Sequence, residues 1–331
     1  MTIQSKDTRF RAYQLGNAGS LFSYFDGTTF TLIEARYTDV NAETLAAELA
    51  ICKKSTIDTL HITSWDQDHC SPTQLEKILS MYAPTKIEYP GYELHTDAGK
   101  ASLKIIKSTK ISGIKTSTTK SAVCPTNTIS TKIVRIDPEY ISSLDPAKEY
   151  GYNDIIYHPK FIEEGENKSN DNSTVKQFRS GSFNVLSLGD VESENIASGL
   201  RRLKSINREV DIMVLAHHGA DNGFTTSSFL KTVRPKIAIA TADYGNQFEH
   251  PKQEIRDLLH KNEIKLFTTK TGDVVVFSTN GHRGHYRIVN LKGGSTEVSS
   301  QYDFHAKKSK ILGSNADTLR TIIAGKKNWP K

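Results

Sequence analysis

Residues 63–69 place metal-competent side chains between a predicted strand and a predicted helix. They read TSWDQDH and follow the strand predicted over residues 57–63. Polar side chains in a strand-to-helix loop can converge on one point, and Asp66, Asp68 and His69 offer two carboxylates and an imidazole. This donor set suits Zn, Mn or a related divalent ion. Two alternatives stay open: Asp68 and His69 could simply cap the next helix, or Cys70 could add a thiolate.

Four further groups of acidic, amide or imidazole side chains occur downstream. They are residues 171–175 (DNSTV), the pair Gly189-Asp190, the run His217-His218-Gly219, and the run Glu249-His250-Pro251. The second and third directly follow predicted strands, and the last comes after a predicted strand and before a predicted helix. In layered α/β proteins, binding sites are built at strand ends. The pattern therefore favours one shared site over separate coincidences.

The elements that must position these groups alternate between strand and helix. Residues 71–74 read SPTQ, a strong helix start with an N-cap serine and proline at the first helical position. We predict strands over residues 30–34, 57–63, 183–188, 210–216, 236–241, 264–268 and 273–278. We predict helices over residues 41–54, 71–82, 194–207, 225–233 and 251–262.

Two regions interrupt this alternation and are basic. Residues 93–170 are rich in Ser, Thr and Lys and are interpreted as an insertion, and residues 281–331 as a basic C-terminal extension. Residues 98–136 hold eight Lys or Arg and no acid, within a 331-residue chain of net charge +6. Such a surface suits a polyanion, and the candidate phosphate contacts are Lys104, Lys107, Lys110 and Lys115. A solvated face is the alternative.

The composition indicates a globular protein, with 37% hydrophobic and 24% charged residues. No stretch approaches the ~18 uninterrupted apolar residues of a membrane helix, and the first residues lack an apolar signal core. Three widely spaced cysteines argue against a disulfide framework. We therefore expect a cytoplasmic protein without membrane insertion.

The order of these motifs resembles that of the metallo-β-lactamase superfamily, and most closely that of its ComEC-like hydrolases, the branch found in DNA uptake. The matching segments are residues 63–69, 170–173, 189–190, 217–219 and 249–251, preceded by a glycine turn at residues 15–19. The resemblance implies a four-layer αββα sandwich. It also implies one hydrolase domain over residues 1–280, with the insertion at 93–170.

The resemblance further implies roles for the site residues. It implies one or two divalent ions, Zn or Mn, held by Asp66, Asp68, His69, Asp190, His218 and His250. It assigns catalytic roles to Asp68, Asp190 and His217, and contacts in a first metal subsite or with substrate to Ser64, Asn172 and Ser173.

Three positions depart from the family pattern. Ser64 stands where the family has its first histidine, Glu34 replaces an aspartate, and Glu249 replaces a glycine. The first metal subsite is therefore expected to be oxygen-rich or empty.

These observations predict a metal-dependent hydrolase, specifically a phosphodiesterase or nuclease acting on DNA. Two alternatives remain: a hydrolase of a small nucleotide or ester, and a non-catalytic subunit with a degraded metal site. A partner subunit is left open. The ligands alone do not select between a carbonyl and a phosphoryl substrate.

Overall fold

The computed structural model describes residues 5–109, 131–147, 151–165 and 168–310. Lys110 and Lys115, two of the predicted phosphate contacts, lie outside these ranges. Two β-sheets form the centre of the structure, and every predicted strand belongs to one of them.

The first sheet has nine strands. They are β1 (Arg9–Ala12), β2 (Phe22–Phe25), β3 (Phe30–Ile33), β4 (Thr59–His61), β5 (Lys86–Pro90), β6 (Lys132–Ile136), β13 (Val274–Thr279), β14 (His285–Leu291) and β15 (Val298–His305). Their order across the sheet is β15-β14-β13-β1-β2-β3-β4-β5-β6. Strands β3 to β6 run parallel to one another, and the others pair antiparallel.

The second sheet has six strands. They are β7 (Ile155–His158), β8 (Val175–Phe178), β9 (Val185–Ser187), β10 (Ile212–Val214), β11 (Ile237–Ala240) and β12 (Lys265–Thr268). Their order is β12-β11-β10-β9-β8-β7, and β9 to β12 are parallel. The helices are α1 (Asp39–Ile51), α2 (Pro72–Tyr82), α3 (Asp97–Thr109), α4 (Pro138–Ser143), α5 (Glu194–Arg201), α6 (Lys204–Glu209), α7 (Ser227–Val233) and α8 (Gln253–Lys261).

Three apolar clusters show that these elements form four layers. One cluster joins side chains of both sheets, such as Phe10 and Tyr24 with Phe178 and Ile239, and so lies between the sheets. A second packs the first sheet against α1 to α3, and a third packs the second sheet against α5 to α8. Helices thus cover the outer face of each sheet, and the predicted αββα sandwich is confirmed.

The segment predicted as an insertion contributes to both sheets. Strand β6 forms one edge of the first sheet, and β7 forms one edge of the second. Helix α3 packs against α2 through a buried face made of Gly99, Ser102 and Ile106. Two of these three residues are small and weakly apolar. The sequence therefore lacks the apolar stripe that would have predicted a helix here.

The segment predicted as a basic extension also enters the fold. Strands β14 and β15 continue the first sheet beyond β13, with Arg287 opposite Asp303. Residues 311–331 of that segment lie outside the described ranges. The helix predicted over 194–207 is two helices, because the chain turns at Arg202 and Leu203 between α5 and α6.

Candidate metal centre

Four side chains from three loops meet at the carboxyl ends of the strands. Asp68 and His69 follow β4, Asp190 follows β9, and His218 follows β10. One donor atom from each lies within 4.8 Å of the others. His69 Nε2 lies 2.8 Å from Asp190 Oδ2, and His218 Nε2 lies 3.1 Å from Asp68 Oδ2. The two sheets therefore contribute two donors each to a single point.

Glu34 orients the His69 imidazole. The carboxylate is buried at the end of β3, and its Oε1 lies 3.2 Å from His69 Nδ1. The backbone N–H of Thr63 donates to its other oxygen at 3.0 Å. Because Nδ1 faces a carboxylate, it would keep its proton when a metal ion replaces the proton on Nε2, so Nε2 is the atom that could serve as a ligand. A carboxylate behind a metal-binding histidine fixes the tautomer and raises the basicity of the ligand.

His218 is oriented in the same way by a backbone carbonyl. Its Nδ1 lies 3.1 Å from the carbonyl oxygen of Thr241 and 3.0 Å from the Thr241 hydroxyl. Donation from Nδ1 to the carbonyl leaves Nε2 free to face Asp68. His217 and His218 both have left-handed backbone angles, with φ of 44° and 55°. Such angles cost on the order of 1–3 kcal/mol each and are typical of functional sites.

The loop that carries Asp68 is held by the glycine turn near the start of the chain. The backbone N–H of Ser20 donates to the Asp68 carbonyl at 3.0 Å. A Cβ at Gly19 would lie 2.4 Å from that same carbonyl oxygen, and φ there is +128°, so glycine is required. The guanidinium of Arg36 donates to the carbonyls of Gln67 and Ala18. This turn therefore fixes the position of the Asp68 backbone.

The electrostatics of the group favour a cation. Burial would lower the pKa of both imidazoles, but Asp190, Glu34 and Asp68 raise the pKa of His69 well above its usual value. The pKa of His218 is likewise raised against burial, by its hydrogen bond to Asp68 and by the Asp190 charge. For the two aspartates, the imidazolium charges outweigh burial and lower the pKa.

These residues fit a divalent ion. His69 Nε2 is buried and makes no hydrogen bond of acceptable geometry, although Asp190 is close. This nitrogen has no hydrogen-bond partner and lies beside two carboxylates and a second imidazole. Together these groups form a set of nitrogen and oxygen donors of the type that binds Zn or Mn. Among the residues that the structure describes, this is the one group of this kind.

Two of the six predicted ligands do not join the group. The carbonyl of Asp66 accepts from the backbone N–H groups of His69 and Cys70, so the loop turns there. The Asp66 carboxylate accepts a hydrogen bond from the Ser64 hydroxyl at 3.1 Å, and it is not one of the four donors that meet. His250 follows β11 and lies beside the group, with its ring centroid 6.3 Å from that of His218. Burial and the neighbouring His218 and His217 lower the pKa of His250 to about 4.

The predicted first-subsite and substrate residues have separate surroundings. Ser64 is buried, and its hydroxyl lies 3.1 Å from that of Tyr92. The Asn172 amide binds backbone groups of Glu163 and Lys168, since it accepts from the Glu163 N–H and donates to both carbonyls. Ser173 is buried beside Gly189, and its hydroxyl has no hydrogen-bond partner among the described residues.

His217 lies at the rim of the group and pairs with Glu192. Its Nδ1 lies 2.6 Å from Glu192 Oε1, and its side chain is 28% exposed. Cys70, the alternative ligand, is fully buried, and burial raises the pKa of its thiol to about 12. Cys70 does not belong to the group of donors that meet at the strand ends.

The described lysines of the predicted phosphate-binding segment lie on α3. Lys104 and Lys107 are exposed. The buried face of the same helix contacts the metal-binding loop, because Ser102 donates to the Cys70 carbonyl and Gly99 packs against Trp65. Helix α3 thus joins an exposed basic face to the loop that carries Asp68.

Four residues that support the site were not predicted: Glu34, Arg36, Glu192 and Thr241. For Glu34 the signal was present, since it occupies the position of a family aspartate at the end of β3. Thr241 acts through its carbonyl, which its residue type does not reveal. Arg36 and Glu192 resemble ordinary surface charges in the sequence.

The four layers and the His/Asp group together define the class of the protein. It is a four-layer αββα sandwich in which two Asp and two His side chains form a group that could hold a metal ion. In the described residues, no helix has the length and apolarity needed to span a bilayer.

Comparison with known proteins gives partial matches to two curated relatives. The chain is 25% identical to "ComE operon protein 3" of Bacillus subtilis over 136 residues, which are 41% of this chain and 17% of that protein. It is 27% identical to "Competence protein ComA" of Neisseria gonorrhoeae over 121 residues, 36% of this chain and 17% of that protein. The chain thus matches about a sixth of the length of each relative.

Among solved structures, a metal-dependent hydrolase of the β-lactamase superfamily is similar to the chain. The two share 8% sequence identity, the match covers 80% of this chain and 98% of the other, and the TM-score is 0.41. No protein-family model matches the chain.

Proposed function

We propose that the protein is a metal-dependent phosphodiesterase that hydrolyses DNA and holds one or two divalent ions, Zn or Mn. The observation that carries the metal-dependent part is the orphaned Nε2 of His69 among the donors of Asp68, Asp190 and His218. A divalent ion bound there would lower the pKa of water and polarise a phosphoryl oxygen. Asp190 is buried, so its role is to hold the ion.

Asp68 and His217 are the residues that face the substrate. The Asp68 side chain is 35% exposed, so it is the most accessible of the four donors. It can therefore orient a water molecule as well as bind the ion. His217 contacts Glu192 through Nδ1, which leaves Nε2 as the ring atom that can exchange a proton with a leaving oxygen.

The choice of DNA rests on charge and on the relatives. One of the partial matches is named as a competence protein, and the motif order is that of hydrolases from DNA uptake. The chain is basic, with a net charge of +6, and Lys104 and Lys107 are exposed on the helix that contacts the metal-binding loop. A polymer with one charge per phosphate gains affinity from such a surface by counterion release, whereas a small ester gains little.

The test is a hydrolysis assay with single-stranded and duplex DNA, RNA and mononucleotides, each with Mn²⁺, Mg²⁺ or Zn²⁺. Asp190→Asn is the matched variant, because it keeps the size of the side chain and removes its charge. We expect DNA cleavage by the wild type and its loss in Asp190→Asn, with unchanged circular dichroism.

Three other outcomes would contradict the proposal. Cleavage of mononucleotides alone would favour the small-molecule hydrolase. Metal binding without any hydrolysis would favour the non-catalytic subunit. If Asp190→Asn keeps hydrolytic activity within tenfold of the wild type, the assignment of Asp190 to the active site is wrong.

A further inference from the structure

The loop between β11 and His250 forms a hydrogen-bonded frame beside the metal centre. The Asn246 side chain accepts from the backbone N–H of His250 at 2.7 Å and donates to the carbonyls of Asp243 and His250. The backbone N–H of Glu249 donates to the Asn246 carbonyl at 3.0 Å. The conformation of this loop is therefore fixed by its own hydrogen bonds.

Two aromatic side chains project from this frame into solvent. Tyr244 is 77% exposed, and Phe248 is 57% exposed. These two rings, four residues apart, leave apolar surface in contact with water. Burial of that surface against another planar group would be favourable. The sandwich already has a complete core, so these rings are not needed for folding.

A row of rings connects Phe248 to the metal centre. The Phe248 and His250 centroids are 5.7 Å apart, and His250 and His217 are 5.8 Å apart. The His250 ring also lies 6.3 Å from that of His218, one of the four donors. A planar group resting on Phe248 would thus extend a continuous row of rings that ends at the metal centre.

Cations lie beside one of the two rings, that of Tyr244. A cavity of about 550 Å³ is lined by Tyr244, Lys252, Arg256 and Lys270, together with Glu249 and Glu254. Lys252 lies 3.9 Å from Glu249. Among the described residues no ion pair is seen for Arg256 or Lys270, although the charge of Glu249 acts on Lys270. Partial burial and the charge of Arg256 lower the pKa of Lys270. Two neighbouring cations without an acid at ion-pair distance favour an anionic occupant.

We propose that Tyr244 and Phe248 form a platform on which bases of single-stranded nucleic acid stack beside the scissile phosphate, while Arg256 and Lys270 neutralise neighbouring phosphates. This inference rests on the proposed function and specifies its substrate. Proteins bind single strands through aromatic rings that stack on the bases and through cationic side chains that follow the sugar-phosphate backbone. Bases in a duplex are stacked on each other, so their faces are not available to the platform.

The experiment measures stacking directly. Single-stranded oligonucleotides containing 2-aminopurine are titrated with the protein in a chelator, which prevents cleavage, and both fluorescence quenching and polarisation are recorded. We expect quenching with the wild type. Loss of one stacked base should weaken binding roughly 5- to 150-fold in Phe248→Ala and in Tyr244→Ala.

Two variants serve as controls. Phe248→Tyr keeps a flat ring and should restore quenching and affinity. Tyr302→Ala removes a ring that is 43% exposed on β15, outside the platform, and should bind like the wild type. Duplex affinity should change less than single-strand affinity in the alanine variants.

Three outcomes would overturn the inference. They are unquenched 2-aminopurine with the wild type, an equal decrease of single-strand and duplex affinity in Phe248→Ala, or an oligonucleotide affinity that does not change in either alanine variant. If the wild type cleaves DNA but shows one of these results, the platform alone is wrong. If quenching is seen but no DNA is cleaved with any metal, the proposed hydrolysis is wrong and the platform stands.

Discussion

Replacing Glu34 with glutamine tests how the metal-binding group is oriented. Both carboxylate oxygens of Glu34 accept hydrogen bonds from Thr63, and Oε1 also faces His69 Nδ1. Glutamine has the same shape but replaces one oxygen by an NH₂ group. If that group faces the Thr63 N–H, two buried donors oppose each other. If it faces His69, the imidazole must accept at Nδ1 and carry its proton on Nε2, the atom that would bind the ion.

Either arrangement weakens the site. A buried unsatisfied donor costs about 1–3 kcal/mol, and loss of a partner behind a metal-binding histidine lowers metal affinity roughly 10- to 100-fold. We therefore expect Glu34→Gln to bind Zn²⁺ or Mn²⁺ roughly 10- to 100-fold more weakly than the wild type. Competition with a chromophoric chelator measures this affinity, and circular dichroism checks the fold.

Two variants make this result interpretable. Glu34→Asp keeps the charge and should recover part of the affinity. Glu192→Gln alters an equivalent carboxylate–imidazole pair at His217, outside the four donors, and should leave metal affinity near that of the wild type. Equal affinity in Glu34→Gln and the wild type, or an equal decrease in Glu192→Gln, would refute the reasoning.

The remaining predictions use the same structure. His218→Ala should lose bound metal, whereas His217→Ala should keep its stoichiometry in elemental analysis; the reverse result would exchange their roles. Joint replacement of Lys104 and Lys107 by Gln should flatten the slope of log DNA affinity against log salt by up to ~1.8, at ~0.9 for each phosphate that is no longer neutralised. An unchanged slope would show that the two lysines do not contact phosphates. Burial alone would raise the pKa of Glu88, but the Lys176 ammonium 2.8 Å away lowers it well below its usual value. The ionised Glu88 therefore stabilises the folded protein above pH 4.5, and this contribution disappears as the pH falls. Below pH 4.5, the free energy of unfolding measured in urea should depend less on pH in Glu88→Gln than in the wild type.

The sequence predicted the central strands and the four donors because both depend on local signals. An apolar run followed by an acid or a histidine shows where a strand ends, and strand ends of parallel sheets meet at one edge. Asp68, His69, Asp190 and His218 all carry this signal, and the structure brings them together. Asp66 carries the same signal, but its carboxylate accepts a hydrogen bond from the Ser64 hydroxyl and is not one of the four donors that meet.

The features that were missed depend on backbone geometry or on distant partners. Strand β1 reads RFRA and buries Arg11, a charged residue that does not indicate a buried strand. Helix α3 buries Gly99 and Ser102, which do not form an apolar stripe. Thr241 orients His218 through a carbonyl oxygen, a group that every residue has.

The pairing of β1 with β13 has a consequence for the order of folding. Arg9 lies opposite Phe277, so a strand near the start of the chain completes its pairing only after residues 274–279 have been made. Residues 306–308 then cross to the second sheet, where the Lys307 N–H donates to Asp211 and the Lys308 ammonium donates to the carbonyls of Arg179 and Gly181. Contacts of such long sequence separation slow folding, because loop closure must precede them. Until β13 arrives, the free edge of β1 is exposed to other chains, so nascent chains of this protein should depend on chaperones more than their final stability would suggest.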